Sequence, residues 1–146
     1  MGTDALDRWL QMRDVTEAEL LGRYTPPPAA ITPNVSYFGL SPVTRVQTPD
    51  GDFHFQADRL VLLFLDDYVL QRGGTFTRDA LLETLGTPAA VLQSRAGRAN
   101  KQYVFPEQGV TFSASSEGVD FVEIFPPTDL DTYRQTFYRE PPAFRR

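Results

Sequence analysis

The chain contains no cysteine, and its 146 residues include only one histidine, His54, and one lysine, Lys101. Without thiols there can be no disulfide bond, no thiolate metal site and no cysteine nucleophile. The net charge of −5 disfavours general binding to nucleic-acid phosphates, which requires a basic surface. The longest apolar run, 60–65, is far shorter than the about 20 residues that cross a membrane as a helix. We therefore expect no nucleic acid, membrane or cofactor among its partners.

The amino-acid composition is that of an ordinary globular domain. The hydrophobic fraction of 41%, with 11 phenylalanines and 6 tyrosines, is sufficient for a core shared by one domain over 1–146. The first residues are acidic and lack the apolar segment of a signal peptide, so we expect a cytoplasmic protein. The basic residues are almost all arginine, which is typical of GC-rich bacterial genomes.

The clearest secondary-structure signals lie in the second half of the chain. Thr77 is a suitable N-cap, and an apolar face at helical spacing follows it, so a helix is predicted from this residue. Gly86 can end that helix. Pro88 can then begin a second short helix over 89–93, followed by a polar, cationic loop over 94–101.

Three short strands are predicted after this loop. The segment 102–105 is rich in β-forming residues, and 110–114 alternates apolar and polar residues as a strand with one wet face does. The segment 119–125 alternates imperfectly, which predicts burial on both faces or a bulge. Pro126 ends the third strand, and a last helix is predicted over 129–138, before a tail at 140–146.

The first half contains similar elements in a similar order. Thr16 and Glu19 form a capping-box pattern at the start of a helix that Gly22 is expected to end. The proline-rich segment 24–42 is predicted to be extended or looped. The other predicted elements are a helix over 4–13, strands over 43–48, 53–55 and 60–65, and a continuation of the last strand at 68–70.

The two halves resemble each other, which predicts pseudo-repeats over 14–70 and 75–138. The segment 16–21 is similar to 77–82, and in both halves a turn proline precedes a strand phenylalanine by six positions. The fold class predicted from these elements is α+β. We expect an antiparallel sheet of about six strands with helices packed on one face, built as a tandem helix–hairpin–strand repeat.

A family resemblance covers about 50 residues in the second half. Leu85-Gly86-Thr87-Pro88, Tyr103, Gly109-Val110-Thr111-Phe112 and the strand around 122–124 resemble the β-lactamase-inhibitory-protein-like fold. The small outer-membrane assembly lipoproteins of bacteria look like a single copy of that fold. The resemblance implies the same fold and a protein-binding function. Those relatives are usually exported and the lipoproteins carry an anchoring cysteine, which this chain lacks, so no functional residue is transferred.

The loop over 94–101 is the best candidate binding site. Its candidate residues, with one on the strand that follows, are Arg95, Arg98, Asn100, Lys101 and Tyr103. Arginine side chains and backbone N–H groups could hold a phosphate or a carboxylate there. The alternative is a solvated loop.

Catalytic and metal-binding groups are poorly represented. His54 has acidic neighbours in a hairpin, and Asp66 with Asp67 could contact a cation. Turn chemistry and the end of a strand account for these acidic residues better than a site does, because a site needs several convergent ligands. We therefore predict no catalytic residue and no metal site.

The function predicted from the sequence is that of a non-enzymatic protein-binding or regulatory module of a bacterium. It would bind another protein through its sheet face or a strand edge, and a homodimer is one alternative. The competing hypothesis is a small-molecule or anion-binding protein that uses the cationic loop 94–101.

Overall fold

The computed structural model describes residues 2–73 and 76–139, which form one eight-stranded antiparallel sheet and five helices. The strands are β1 (Ile31–Tyr37), β2 (Leu40–Thr48), β3 (Gly51–Gln56), β4 (Arg59–Asp66), β5 (Ala90–Gln93), β6 (Lys101–Phe105), β7 (Val110–Ser115) and β8 (Gly118–Ile124). The helices are α1 (Gly2–Leu10), α2 (Glu17–Tyr24), α3 (Asp67–Gly73), α4 (Arg78–Leu85) and α5 (Leu130–Thr136).

The strand order is β1-β2-β3-β4-β8-β7-β6-β5, so the sheet consists of two four-stranded meanders that meet in the middle. The last strands of the two meanders, β4 and β8, pair antiparallel, with Leu63 opposite Ile124. The first strands, β1 and β5, therefore lie at the two outer edges. This arrangement places the most apolar strands of both halves where both faces of the sheet are covered.

The first face of the sheet carries the main hydrophobic core under α1, α2, α3 and α4. Buried side chains from the helices, such as Trp9, Leu20 and Leu81, belong to the same cluster as Phe53 and Phe112 of the sheet. The capping box predicted at Thr16 is present and begins α2. The α+β class and the antiparallel sheet are thus confirmed.

The second face is covered at one end by α5. Tyr133 and Phe137 of this helix pack with Leu62, Val104 and Phe125 in a separate cluster. Leu62 has this orientation because it alternates with Leu63 and Leu65, which face the first core, and a register shift against β3 separates it from Leu60. The expectation that all helices pack on one face is therefore wrong for α5.

The sheet has eight strands rather than about six because neither of its edge strands, β1 and β5, is among the six predicted strands. Residues 89–93, expected to be a short helix after Pro88, instead include β5, in which Val91 pairs with Tyr103. In the proline-rich segment, β1 tolerates Pro33 because it pairs on one side only, with β2.

Several smaller expectations also need correction. Thr111 and Ser113 were expected on a wet face of β7, but both are fully buried because the second face of the sheet is also covered. The segment 68–70 belongs to α3 rather than to a strand, and α2 continues past Gly22 to Tyr24. The predicted tail at 140–146 lies outside the described residues.

Candidate functional site

A buried carboxylate, Glu123, lies on the second face near the centre of the sheet. It sits on β8 between two residues whose side chains enter the first core, so alternation directs Glu123 to the opposite face. Its side chain is 0% exposed. The Tyr133 hydroxyl donates to Oε1 at 2.6 Å, and the Tyr37 hydroxyl donates to Oε2. A buried carboxylate is stable only with such partners.

Arg95 covers this carboxylate from the loop that joins β5 to β6. Its Nη2 atom donates to the Tyr37 hydroxyl at 2.7 Å and lies 3.7 Å from Glu123 Oε2. The Arg95 side chain is 31% exposed, so it forms the boundary between the buried carboxylate and solvent.

Four aromatic rings surround the Arg95 guanidinium. The distance from Arg95 Cζ to the ring centroid is 4.3 Å for Phe121, 5.0 Å for Phe38, 5.6 Å for Tyr37 and 5.9 Å for Phe64. Each distance is within the range of a cation–π interaction. We call the six residues Arg95, Glu123, Tyr37, Phe38, Phe64 and Phe121 the Arg95 cluster.

The burial of these groups shifts their pKa values. Desolvation raises the pKa of Glu123, while Arg95 and the two tyrosine hydroxyls act in the opposite direction. Burial, together with the negative charge of Glu123, holds the pKa values of Tyr37 and Tyr133 well above their usual range. Both hydroxyls therefore remain protonated donors at neutral pH.

Hydrogen bonds hold the base of the loop that carries Arg95. Gln93 Nε2 donates to the Gly97 carbonyl at 2.7 Å, and the Ser94 and Ser113 hydroxyls lie 2.6 Å apart. Ser113 also donates to Asp120, which accepts a further bond from Asn100. These bonds fix the position from which Arg95 reaches the rings.

Of the five binding residues predicted from the sequence, Arg95 belongs to this cluster. Asn100 Nδ2 donates to Asp120 at 2.6 Å, and Lys101 Nζ donates to Gln93 at 3.2 Å. Arg98 is exposed on the loop. Tyr103 stacks on Phe112 with 4.9 Å between ring centroids, and thus lies on the first face of the sheet. The structure does not bring the five residues together.

Sequence reasoning missed Glu123, Tyr37 and Tyr133. The available signal was a glutamate placed between Val122 and Ile124 in a strand, because a glutamate is rarely buried unless it is paired. Its partners could not be identified from spacing, because Tyr37 is 86 positions away in the chain.

His54 and Asp66 have structural roles. His54 is buried beside the Tyr37 ring, its Nδ1 atom lies 3.3 Å from the Leu62 carbonyl, and burial lowers the pKa of His54 to about 4. Asp66 accepts the Val69 N–H at 2.9 Å in the first turn of α3. Across 2–73 and 76–139, no group of three or more histidine and acidic side chains could hold a metal ion.

An open cavity of about 670 Å³ lies beside the β7–β8 turn. Its lining includes the carboxylates Asp67, Glu117 and Asp120, together with Asn100 from the loop. Among the described residues that line it, neither Arg95 nor Arg98 occurs, so this cavity does not provide an anion site for the loop arginines.

Comparison of the chain with protein-family models, curated proteins and solved structures finds no significant match. In the part of the chain that the structure describes, no helix is long and apolar enough to cross a membrane.

Proposed function

We propose that this chain is a non-enzymatic protein-binding module that binds its partner through the second face of the sheet, around the Arg95 cluster. The observation that carries this proposal is the partly exposed Arg95 guanidinium among four aromatic rings. Arginine, tyrosine and phenylalanine are enriched at protein interfaces, and arginine and tyrosine are common among the residues that dominate binding energy.

The cluster is ordered before any partner binds. Tyr37 contacts Phe38 edge-to-face at 4.9 Å, and Phe64 contacts Phe121 at 5.4 Å between centroids. The fastened loop holds Arg95 against these rings. Preorganised side chains lose little conformational entropy on association, which favours affinity for a given contact area.

The sheet edges support strand addition less well than the face supports docking. On β1, Pro33 lacks an N–H donor and Asn34 has a positive φ of 58°. On β5, the edge is only four residues long, and the Gln93 carbonyl already accepts a bond from the Tyr138 hydroxyl. We therefore assign binding to the face rather than to an edge.

The alternative, anion binding by the loop 94–101, receives less support from the geometry. Arg95 is directed to Glu123 and Tyr37, and Lys101 is bonded to Gln93. An added anion would compete with these internal partners. The neighbouring cavity is lined by carboxylates, which repel anions.

The family resemblance and the internal repeat remain part of this proposal. Each half of the chain contributes a four-stranded meander with helices on either side of it in sequence. A tandem arrangement of this kind is what the resemblance to the β-lactamase-inhibitory-protein-like fold implies, and it carries the same expectation of protein binding.

The test is affinity capture from a bacterial lysate with immobilised wild type, Phe64→Thr and Arg95→Ala. Arg134→Ala, at an exposed position on α5, is the matched control. We expect a protein that wild type and the control retain and that both cluster variants lose. With the purified partner, calorimetry should show a loss of at least about tenfold in affinity for each cluster variant.

Folding of each variant is checked by circular dichroism and urea unfolding before capture. Folded cluster variants that bind the partner as tightly as wild type would overturn the assignment of this face. Sedimentation of wild type and Phe64→Thr identifies the case in which the partner is a second copy of the chain.

A further inference from the structure

We infer that the four rings and Glu123 of the Arg95 cluster form a binding site for a guanidinium cation, which Arg95 fills in the free protein. The ligand class is a small guanidinium compound. This inference does not depend on the protein-binding proposal, because it concerns what the walls of the site recognise.

The walls are held together without Arg95. Tyr37 and Phe64 contact each other at 6.3 Å between centroids, and both have further ring contacts, with Phe38 and Phe121 respectively. The carboxylate of Glu123 is fixed from the other side by the Tyr133 hydroxyl. Removing the Arg95 side chain should therefore leave a formed cage with a carboxylate at its base.

The chemistry of the walls selects a planar cation. Aromatic faces attract a guanidinium through cation–π interaction and stacking. Glu123 supplies negative charge 3.7 Å from Arg95 Nη2, and the Tyr37 hydroxyl accepts an N–H bond from the same atom. A neutral molecule of the same shape lacks the charge that Glu123 requires, and an ammonium lacks the planar fork of donors.

The experiment is chemical rescue of Arg95→Ala with N-methylguanidinium. Thermal unfolding and calorimetry are recorded for the variant and for wild type, with N-methylurea as the neutral isostere and methylammonium as the non-planar cation. We expect saturable stabilisation of the variant by N-methylguanidinium, with affinity at least about tenfold higher than for wild type, whose site is already filled. The two control compounds should stabilise the variant much less.

The double variant Arg95→Ala/Glu123→Gln tests the role of the carboxylate and should bind N-methylguanidinium at least about tenfold more weakly than Arg95→Ala. If Arg95→Ala does not fold alone, the same titration is followed as recovery of its circular dichroism signal. The inference is overturned if N-methylguanidinium neither stabilises nor refolds the variant. Equal effects of N-methylurea, or full binding by the double variant, would overturn it as well.

Discussion

The most informative single substitution is Glu123→Gln, because it removes a fully buried negative charge with little change in shape. In wild type, both carboxylate oxygens accept hydrogen bonds from tyrosine hydroxyls, and Arg95 lies 3.7 Å from Oε2. A glutamine can still accept one of these bonds, and a tyrosine hydroxyl can accept from its amide. The substitution therefore tests the cost of the buried charge.

The sign of the effect follows from the raised pKa of Glu123. Between the ordinary glutamate value of 4.5 and the higher pKa in the folded state, the folded protein holds a proton that the unfolded chain has released. Stability of wild type then falls as pH rises through this window, by at most about 1.4 kcal/mol per pH unit. Glu123→Gln lacks this dependence, so it should gain stability relative to wild type as pH rises.

The nearby His54 titrates with the opposite sign, so the difference in unfolding free energy between the two proteins is the quantity to measure. Burial lowers the pKa of His54 to about 4, so His54 makes stability rise with pH between about 4 and its ordinary value of 6.5. Both proteins contain His54, so its contribution cancels in the difference between their unfolding free energies when the substitution leaves His54 undisturbed.

The assay is urea unfolding at several pH values from 4.5 to 8, followed by the fluorescence of the buried Trp9. At pH 4.5 the variant should be less stable by about 1 kcal/mol, for one weakened hydrogen bond, and this deficit should shrink or reverse at higher pH. Glu117→Gln, the same change in the exposed β7–β8 turn, is the control and should track wild type. A deficit that stays constant or grows with pH would refute the reasoning.

Two further substitutions test contacts away from the cluster. Gly39→Ala would place a Cβ atom in steric conflict with the Gln135 carbonyl oxygen of α5, so we expect a loss of about 1–3 kcal/mol in urea unfolding. The control is Gly22→Ala in α2, where the added Cβ atom meets open space, and this variant should gain about 0.5–1 kcal/mol in unfolding free energy. Equal stability of the two variants would contradict the close packing of Gly39 against α5. Asp50→Asn should lower the pKa of Tyr24, which burial and the Asp50 hydrogen bond raise to about 12. Carbon-13 NMR of labelled tyrosine measures this value, and a pKa that stays near 12 would exclude the Asp50 contribution.

The central strands could be predicted from the sequence because their own residues determine them. The apolar run 60–65 and the alternation in 110–114 correspond to β4 and β7. The edge strands could not be predicted in this way. Pro88 with the alanines after it has the local pattern of a helix start, and only pairing with β6 makes Ala90–Gln93 a strand.

Of the residues in the Arg95 cluster, only Arg95 was among the binding residues predicted from the sequence. A cationic residue in a polar loop is visible locally, whereas the four rings around it come from β1 and the turn after it, from β4 and from β8. Their convergence depends on the pairing of β4 with β8, which joins the two halves of the chain. Local patterns contain no information about that pairing.

The buried charge can also explain why the two halves are held in one arrangement. Glu123 belongs to the second meander, yet one of its hydroxyl donors, Tyr37, comes from the first, as does Phe64 of the ring cage. A shift of β8 against β4 by one residue would turn Glu123 into the first core, where apolar side chains surround it. Leaving a carboxylate there without partners costs several kcal/mol, far more than any apolar mismatch. Glu123→Leu removes the acceptor of the Tyr37 and Tyr133 hydroxyls, so we expect it to lose at least about 1–3 kcal/mol of stability. We also expect it to fix the register of β4 and β8 less strictly, which hydrogen exchange would detect as a loss of amide protection that is larger in β4 and β8 than in β2 and β7. An equal loss of protection in all four strands would contradict a role of Glu123 in the register.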